Sequence, residues 1–215
     1  MTQFVEIPIN ARCTSLRKKL FGIGINDSPY KTEIMVDGKR VTCKKYLSWR
    51  NMMQRCYSEK YNSKTPAYKE CSVCTEWHRF SVFKKWIDTQ DWEGKQLDKD
   101  LLIPGNKVYG PDTCMFVSSS INSLLVHSRL FSGEYPRGVC FHKSSGRYMA
   151  QCFIRGKHRT IGRFSTIAGA EKAYLNAKSS EILRRASGLD DDCDSRLYDA
   201  LVRHAEILSK KASSL

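Results

Sequence analysis

The strongest constraint on the fold is a regular alternation of polar and apolar residues between positions 138 and 164. It is clearest from Arg147 to Ile154, and turn sequences flank that stretch, Ser144-Ser145-Gly146 and Gly156-Lys157. A period of two residues places successive side chains on opposite faces of a strand. The pattern predicts three short antiparallel strands, at Gly138–His142, Arg147–Ile154 and His158–Phe164.

An alanine-rich helix is predicted directly after the third strand. Ser165 or Thr166 can cap its first turn, because a hydroxyl oxygen accepts a hydrogen bond from a free backbone N–H. In the middle strand, the alternation directs Ala150 toward this helix and directs Arg147 and Gln151 away from it. The small-residue face that can lie against the sheet comprises Ala168, Ala170, Ala173, Tyr174 and Ala177.

Positive charge is concentrated in the same segment. The chain has 36 Lys and Arg residues against 22 Asp and Glu residues, a formal net charge of +14. Residues 134–164 contain seven Lys or Arg residues together with His142 and His158, and Glu134 is the only acidic residue there. Such concentration favours contacts with nucleic-acid phosphates. A solvated basic surface that serves solubility is the alternative.

The sequence also indicates a compartment. No run approaches the ~20 apolar residues of a membrane span. Met1 to Asn10 lack the basic and then apolar pattern of a signal peptide. Nine cysteines are most compatible with a reducing compartment, in which they remain thiols. We therefore expect a cytoplasmic protein with no membrane partner.

The N-terminal half is predicted to be mixed in secondary structure. Residues 31–44 alternate around Asp37-Gly38, a strong signal for a tight hairpin. Two amphipathic helices follow, from Lys45 to Tyr57 and from Trp77 to Ile87, and the polar stretch from Ser58 to Glu70 separates them. Aromatic residues recur every three or four positions in both helices, as in helices that pack in a core.

A further unit contains a group of candidate metal ligands. The pattern predicts a strand from Gln96 to Ile103, a second strand from Thr113 to Val117 and a helix from Ser118 to Leu125. Carboxylates at a strand end and an amide on the next helix can converge on one cation, and oxygen ligands of this kind suit Mg²⁺. A charged turn and a surface asparagine are the alternative. The candidate ligands are Asp98, Asp100 and Asn122.

Two cysteines, Cys71 and Cys74, have the spacing of half a zinc site. A second pair with this spacing is missing from the sequence. Cys56 or Cys114 could complete a site in space, but Cys74 leads directly into the aromatic helix. The arrangement favours buried structural thiols over zinc.

The three basic strands are candidates for insertion into a DNA major groove, since a sheet can enter this groove as a helix can. On the exposed face, Arg147 and Gln151 can contact base edges or phosphates. An ordinary solvated sheet face is the alternative. The basic candidates on these strands and their turns are Arg137, Arg147, Arg155, Lys157, His158, Arg159 and Arg163.

Motifs in this segment resemble the Apetala-two-type DNA-binding domain of plant ethylene-response factors and phage endonucleases. The motifs are Tyr135-Pro136-Arg137-Gly138-Val139, Gly146-Arg147-Tyr148-Met149-Ala150-Gln151, Ile161-Gly162-Arg163-Phe164-Ser165-Thr166 and Ala170-Glu171-Lys172-Ala173-Tyr174. The resemblance implies double-stranded DNA as the partner, with the sheet in the major groove and the helix behind it. The contacts that it implies are Arg137, Arg147, Tyr148, Gln151 and His158. Because the family usually has Trp at positions 148 and 160 and an acid at 151, its base preference does not transfer.

Upstream motifs resemble phage HNH homing-type endonucleases that carry such a C-terminal domain. They are Trp49-Arg50-Asn51-Met52-Met53-Gln54-Arg55-Cys56-Tyr57, Cys71-Ser72-Val73-Cys74-Thr75-Glu76-Trp77, Leu97-Asp98-Lys99-Asp100 and Tyr109-Gly110-Pro111-Asp112-Thr113-Cys114. The resemblance covers about residues 45–184. It implies a ββα-metal finger in which Asp98 and Asn122 hold Mg²⁺, and a bacterial cytoplasm as the compartment. In this family a histidine that deprotonates water stands where this chain has Lys99.

This departure leaves several hypotheses open. A lysine with an ordinary pKa of roughly 10.4 is protonated at neutral pH and cannot accept a proton from water. Hydrolysis would need a lowered lysine pKa, a water relay or another histidine, of which His78 and His127 are nearest in sequence. The first hypothesis is a Mg²⁺-dependent DNA endonuclease with Asp98, Lys99 and Asn122 as catalytic residues. The second is an HNH-derived regulator or site-blocking protein in which Lys99 contacts phosphate.

Taken together, the patterns predict an α+β chain of four segments. These are an N-terminal arm and hairpin (1–44), an HNH-like domain (45–130), the Apetala-two-type domain (134–186) and a C-terminal helix (190–215). A palindromic DNA target would require a homodimer. A third hypothesis makes the basic segment a docking surface for an acidic protein.

Overall fold

The computed structural model describes residues 4–125, 134–190 and 193–215. The chain divides into two compact units, Met1–Ser119 and Ser120–Leu215. Helices and small β-sheets occur in both units, which confirms the mixed α+β fold class. No helix in the three described ranges combines the length and the apolar character that a membrane crossing needs.

The first unit consists of short elements around an aromatic core. Its helices are α1 (Ala11–Ser15), α2 (Lys44–Tyr57), α3 (Glu59–Lys64) and α4 (Phe80–Ile87), and α5 (Ser119–Leu125) begins at its end. Its strands are β1 (Glu33–Val36), β2 (Lys39–Thr42), β3 (Ser72–Val73), β4 (Gln96–Asp98), β5 (Val108–Tyr109) and β6 (Met115–Val117). They pair as β1 with β2, β3 with β5 and β4 with β6.

The predicted hairpin at Asp37-Gly38 is confirmed. β1 and β2 pair antiparallel, with Ile34 opposite Val41. Asp37 and Gly38 have φ angles of 50° and 71°. A two-residue hairpin turn that matches the strand twist needs positive φ at both positions, and aspartate followed by glycine adopts this pair at low cost.

Aromatic residues of α2 and α4 form the core of the first unit, as their helical spacing predicts. Trp49 and Trp77 are almost fully buried, and Trp49 Nε1 donates a hydrogen bond to the Trp77 carbonyl oxygen over 2.7 Å. The Trp77 ring contacts Phe83 edge-on, with 5.0 Å between ring centroids. Trp77 itself lies in a 3-10 helix, Thr75–His78, so the second predicted helix is interrupted before α4.

The polar stretch from Ser58 to Glu70 is more ordered than its composition indicates. It contains α3, and the Ser58 hydroxyl caps this helix by accepting the Tyr61 N–H over 3.3 Å. Glu59 lies in the first turn, where negative charge interacts favourably with the helix dipole. A six-residue helix with few apolar residues has no measurable periodicity, so the sequence pattern does not predict it.

The predicted strand from Gln96 to Ile103 is shorter in the structure. β4 ends at Asp98, whose carboxylate accepts the backbone N–H groups of Asp100 and Leu101 and closes a turn. The chain then returns through β5, which pairs in parallel with β3. This pair joins segments that are distant in sequence, and local periodicity carries no signal for it.

The second unit contains the three-stranded antiparallel sheet that the alternation predicts. Its strands are β7 (Val139–His142), β8 (Arg147–Ile154) and β9 (Lys157–Phe164), with β8 in the middle. α6 (Ile167–Ala186) follows, and the Thr166 hydroxyl caps it by accepting the Gly169 N–H. Ala150 of β8 and Ala170 of α6 are fully buried, because small side chains let the helix lie close against the sheet.

A further helix, α7 (Ser195–Ser213), packs against α6. Ser179 Oγ of α6 donates a hydrogen bond to the Ala205 carbonyl oxygen of α7 over 2.9 Å. Ile182 of α6 and Leu201 of α7 are buried. The predicted C-terminal helix is thereby confirmed. The sheet covers one side of α6, and α7 covers another.

Candidate nucleic-acid interface and candidate metal centre

One face of the three-stranded sheet points away from α6. β8 alternates between buried residues, such as Ala150 and Cys152, and exposed residues, such as Arg147, Gln151 and Phe153. Directly opposed residues of antiparallel strands share a face. Alternation and register together define this face, which we call the basic face, as Cys140, His142, Arg147, Met149, Gln151, Phe153, His158, Thr160 and Arg163.

The basic face combines positive charge with hydrogen-bonding groups. Gln151 of β8 lies opposite Thr160 of β9, and Phe153 lies opposite His158. Opposed Cβ atoms are ~4.5–5.5 Å apart, and residues two positions along a strand are ~6.6 Å apart. None of the side chains that define this face is acidic. The basic face therefore combines a local excess of positive charge with hydrogen-bond donors and acceptors at regular spacing.

A β-bulge brings Arg163 to the basic face. Gln151 is opposite Thr160, whereas the preceding residue of β8 is opposite Gly162, so Ile161 is the additional residue in β9. The additional residue reverses the alternation of β9, and Arg163 consequently shares a face with Thr160. Strict alternation would have placed this arginine on the other side of the sheet.

The expected contact residues fall in different places. Arg147, Gln151 and His158 lie together on the basic face. Tyr148 and Arg159 lie on the opposite side of the sheet. There, the Tyr148 ring packs against two neighbouring aromatic rings, with 5.3 Å and 5.5 Å between centroids. Tyr148 therefore has a packing role in the second unit.

The remaining expected contacts lie outside the basic face. Arg155 is in the β8–β9 turn, with a φ of 49°, and Lys157 is the first residue of β9. Arg137 precedes β7 and is half-buried. Burial lowers the pKa of Lys178 on α6, and the positive charge of Arg137 adds to this effect. Arg137 is therefore close enough to α6 for its charge to act on Lys178.

Glu181 of α6 anchors the β8–β9 turn. Its carboxylate is buried, and Oε1 accepts the Arg155 backbone N–H over 3.2 Å. Arg184 donates two further hydrogen bonds to the same carboxylate, at 2.8 Å and 2.7 Å. Hydrogen bonding from Arg184, supported by the Arg155 N–H, lowers the pKa of Glu181 to about 2. The position of the turn is thus fixed relative to α6.

We expect Glu181→Gln to destabilise the second unit by about 1 to 2 kcal/mol at neutral pH, because an amide accepts weaker hydrogen bonds than a carboxylate. The pKa of Glu181 in the folded chain lies below its ordinary value of 4.5. The stabilisation is therefore complete above about pH 4.5 and is lost as the pH falls toward 2. Denaturant unfolding of the wild type and of Glu181→Gln should show a difference in the free energy of unfolding that becomes smaller as the pH is lowered. Glu171→Gln is the control, since the partner of Glu171 is Lys211, whose side chain is 58% exposed, and this ion pair is expected to contribute less than about 1 kcal/mol. A Glu181→Gln difference that is constant with pH would contradict the anchoring role.

In the first unit, Asp98 stands at the end of β4 in surroundings that favour its protonated form. Its Oδ1 accepts the N–H of Asp100 over 2.9 Å and the N–H of Leu101 over 2.8 Å. Burial raises the pKa of Asp98 to about 6, and the negative charge of Asp100 acts in the same direction. The two backbone N–H groups offset this effect only in part.

Lys99 is built into the loop that follows Asp98. Its side chain is 11% exposed, and Nζ donates to Asp100 Oδ2 over 3.2 Å and to the Asn106 carbonyl oxygen over 3.1 Å. Asn106 Nδ2 donates back to the Lys99 carbonyl oxygen over 2.6 Å. The ammonium group also lies 6.0 Å from the ring centroids of Tyr68 and Tyr109. These contacts indicate a cation that holds the loop together.

Of the two histidines nearest in sequence, His78 has its ring nitrogen engaged by other groups. His78 Nε2 lies 3.1 Å from the Val73 carbonyl oxygen and 3.3 Å from the Tyr57 hydroxyl group, so its ring is engaged in the interior of the unit. His127 lies outside the described residues. The contacts of His78 therefore do not assign it as a proton acceptor for the loop at Asp98.

Two of the three candidate magnesium ligands already have partners in the structure, whereas a magnesium ion needs several free oxygen ligands in near-octahedral geometry. Asp98 Oδ1 already accepts two N–H groups, and Asp100 is paired with Lys99. Within the described ranges, no group of three or more His, Cys, Asp or Glu side chains is placed to hold a metal ion. Asn122 lies on α5 in the second unit, and its pairing with Asp98 remains a prediction.

Apart from the exposed Cys13, the cysteines of the first unit are thiols in or near its core. Cys71 is buried and Cys74 is half-buried. Burial raises the pKa of Cys56 and of Cys114 to about 12. A thiolate is the form that binds metal, and burial disfavours it here.

Comparisons with protein-family models, with curated proteins and with solved structures found no match. The resemblance of the two units to HNH and Apetala-two-type domains therefore remains a prediction. The structure adds Arg163 and Thr160 to the residues of the basic face. Neither is among the contacts that the motif resemblance implies.

Proposed function

We propose that this chain is a double-stranded DNA-binding protein that places its basic face in the major groove. The observation that carries the proposal is the grouping of Arg147, Arg163, Gln151 and His158 on one exposed face, whose defining residues include no acidic side chain. Arginine can make two hydrogen bonds to guanine, and glutamine can make two to adenine. Phosphate contacts from the surrounding basic residues would supply most of the affinity.

The proposal includes a relation to the Apetala-two-type domain. Its support is the order of three antiparallel strands and one helix behind them, together with the Thr166 cap. For the first unit we propose a relation to the HNH finger, based on β4, β6 and the loop that contains Lys99, in a form that no longer hydrolyses DNA. Its support is Lys99, which takes the place of the histidine base and pairs with Asp100 and Asn106.

One observation favours the competing hypothesis of a metal-dependent endonuclease. Asp98 and Asp100 are neighbouring carboxyl groups, and their repulsion contributes to the raised pKa of Asp98. A cation bound between them would relieve that repulsion. Raised carboxyl pKa values of this kind are frequent in active sites, and they also occur in structural turns.

We expect supercoiled DNA incubated with the protein to be retarded in a gel without nicks, with Mg²⁺ or with EDTA. Retardation should become weaker as salt is added. For a protein with about four phosphate contacts, the affinity is expected to fall roughly 100-fold between 50 and 200 mM salt. Asp98→Ala should leave retardation unchanged. The matched control is Asp91→Ala, an exposed carboxylate paired with Lys95.

Nicks that require Mg²⁺, persist in Asp91→Ala and vanish in Asp98→Ala would establish the endonuclease instead. Absence of retardation at low salt would overturn the DNA-binding proposal.

A further inference from the structure

Phe153 is an unusual residue on the basic face. Its side chain is 48% exposed, although it stands among arginine, glutamine, histidine and threonine residues. The neighbour along β8 on the same face is Gln151, and the residue directly opposite is His158. A large apolar side chain at such a place gains little from the fold and is available to a ligand.

The Phe153 ring is held in a defined position. It meets the His158 ring edge-on, with 5.2 Å between ring centroids and 72° between the ring planes. The turn beyond it is anchored through Arg155 to Glu181. Phe153 therefore presents a fixed apolar surface next to polar groups that can contact base edges.

We propose that Phe153 recognises the C5-methyl group of thymine, so that the protein selects DNA sites with a thymine at this point. This inference rests on the proposed DNA binding. In the major groove, base edges offer hydrogen-bond donors and acceptors, and the thymine methyl is the apolar group among them. Phenylalanine contacts with this methyl are a recognised mode of direct readout.

The spacing of the face extends the prediction to a second base. Phe153 and Gln151 are separated by two positions, which is ~6.6 Å along a strand. Base pairs rise by ~3.4 Å, so two positions correspond to about two base-pair steps. The structure thus assigns a thymine at Phe153 and an adenine about two base pairs away at Gln151.

The test uses duplexes that the protein retains from a random DNA pool at physiological salt. The affinity of the full chain is compared between each duplex and the same duplex with deoxyuridine in place of thymine, which removes only the methyl group. We expect the wild type to bind the deoxyuridine duplex three- to tenfold more weakly. For Phe153→Ala, the two duplexes should be bound equally.

Phe141→Ala is the matched control, because Phe141 is 41% exposed on the same sheet but faces the other side. It should keep the wild-type ratio between the two duplexes. Phe153→Leu keeps an apolar side chain and should retain part of the ratio, which guards against a folding defect in the alanine variant.

Equal binding of both duplexes by the wild type would overturn the thymine assignment and leave the DNA-binding proposal standing. If Phe153→Ala still binds the thymine duplex more tightly than the deoxyuridine duplex by the wild-type ratio, another residue recognises the methyl group and the role of Phe153 is overturned. Absence of any retained duplex would overturn both proposals.

Discussion

Arg147→Ala and Gln151→Ala are each expected to weaken binding to the selected DNA site by about 1 to 3 kcal/mol, or roughly 5- to 150-fold in affinity. Both side chains are exposed on the basic face, and each can make a pair of hydrogen bonds to one base. Truncation to alanine removes both hydrogen bonds and leaves the donors and acceptors of the base edge with fewer hydrogen-bond partners. Titration of labelled duplex at fixed salt measures the change.

The structure provides a control with equal charge. Arg159 lies one position from His158 but on the opposite side of the sheet. Arg159→Ala should therefore weaken binding to all sequences alike, by the loss of at most one phosphate contact. If Arg147→Ala and Gln151→Ala both bind the selected site as the wild type does, the major-groove orientation of the basic face is wrong.

Gly138→Ala is expected to lower the free energy of unfolding of the second unit by roughly 2 to 4 kcal/mol. Gly138 has a φ of 77°, which costs an alanine residue about 1 to 2 kcal/mol. In addition, a Cβ atom at this position would lie 2.1 Å from the ring of Tyr174, so that α6 or the start of β7 must shift. Denaturant unfolding monitored by circular dichroism measures the loss.

Gly156→Ala separates the two causes. Gly156 has nearly the same φ, 76°, but nothing lies within 4 Å of its added Cβ atom. Its loss should be limited to the backbone cost of about 1 to 2 kcal/mol. Equal destabilisation by the two substitutions would show that the Tyr174 contact can relax without cost.

The second unit could be predicted well from the sequence because its order is local. Strict alternation from Arg147 to Ile154 matches β8 at both ends. The helix begins after Thr166, one of the two residues whose hydroxyl predicted a cap. In contrast, the bulge at Ile161 depends on how two strands pair, and alternation within one strand cannot reveal it. For that reason the sequence pattern does not predict that Arg163 lies on the basic face.

The first unit was less predictable because its order depends on distant contacts. The parallel pairing of β3 with β5 joins segments that share no local pattern. Lys99 illustrates the same limit for a candidate site. Its replacement of the expected histidine could be seen in the sequence, but its hydrogen bond to the Asn106 carbonyl oxygen could not. The motif left open whether Lys99 could accept a proton from water. The contacts of Lys99 with Asp100 and Asn106 favour a role in holding the loop instead.

The packing of α7 has a consequence for how the sheet can be separated from the rest of the chain. Motif boundaries suggest a fragment that ends near Ala186, with one helix behind three strands. Such a fragment would leave the outer side of α6 bare, including Ile182 and Leu175, which are 1% and 5% exposed in the whole chain. It would be prone to self-association through that surface. A fragment that keeps the three-stranded sheet and both sides of α6 covered therefore extends to the end of α7.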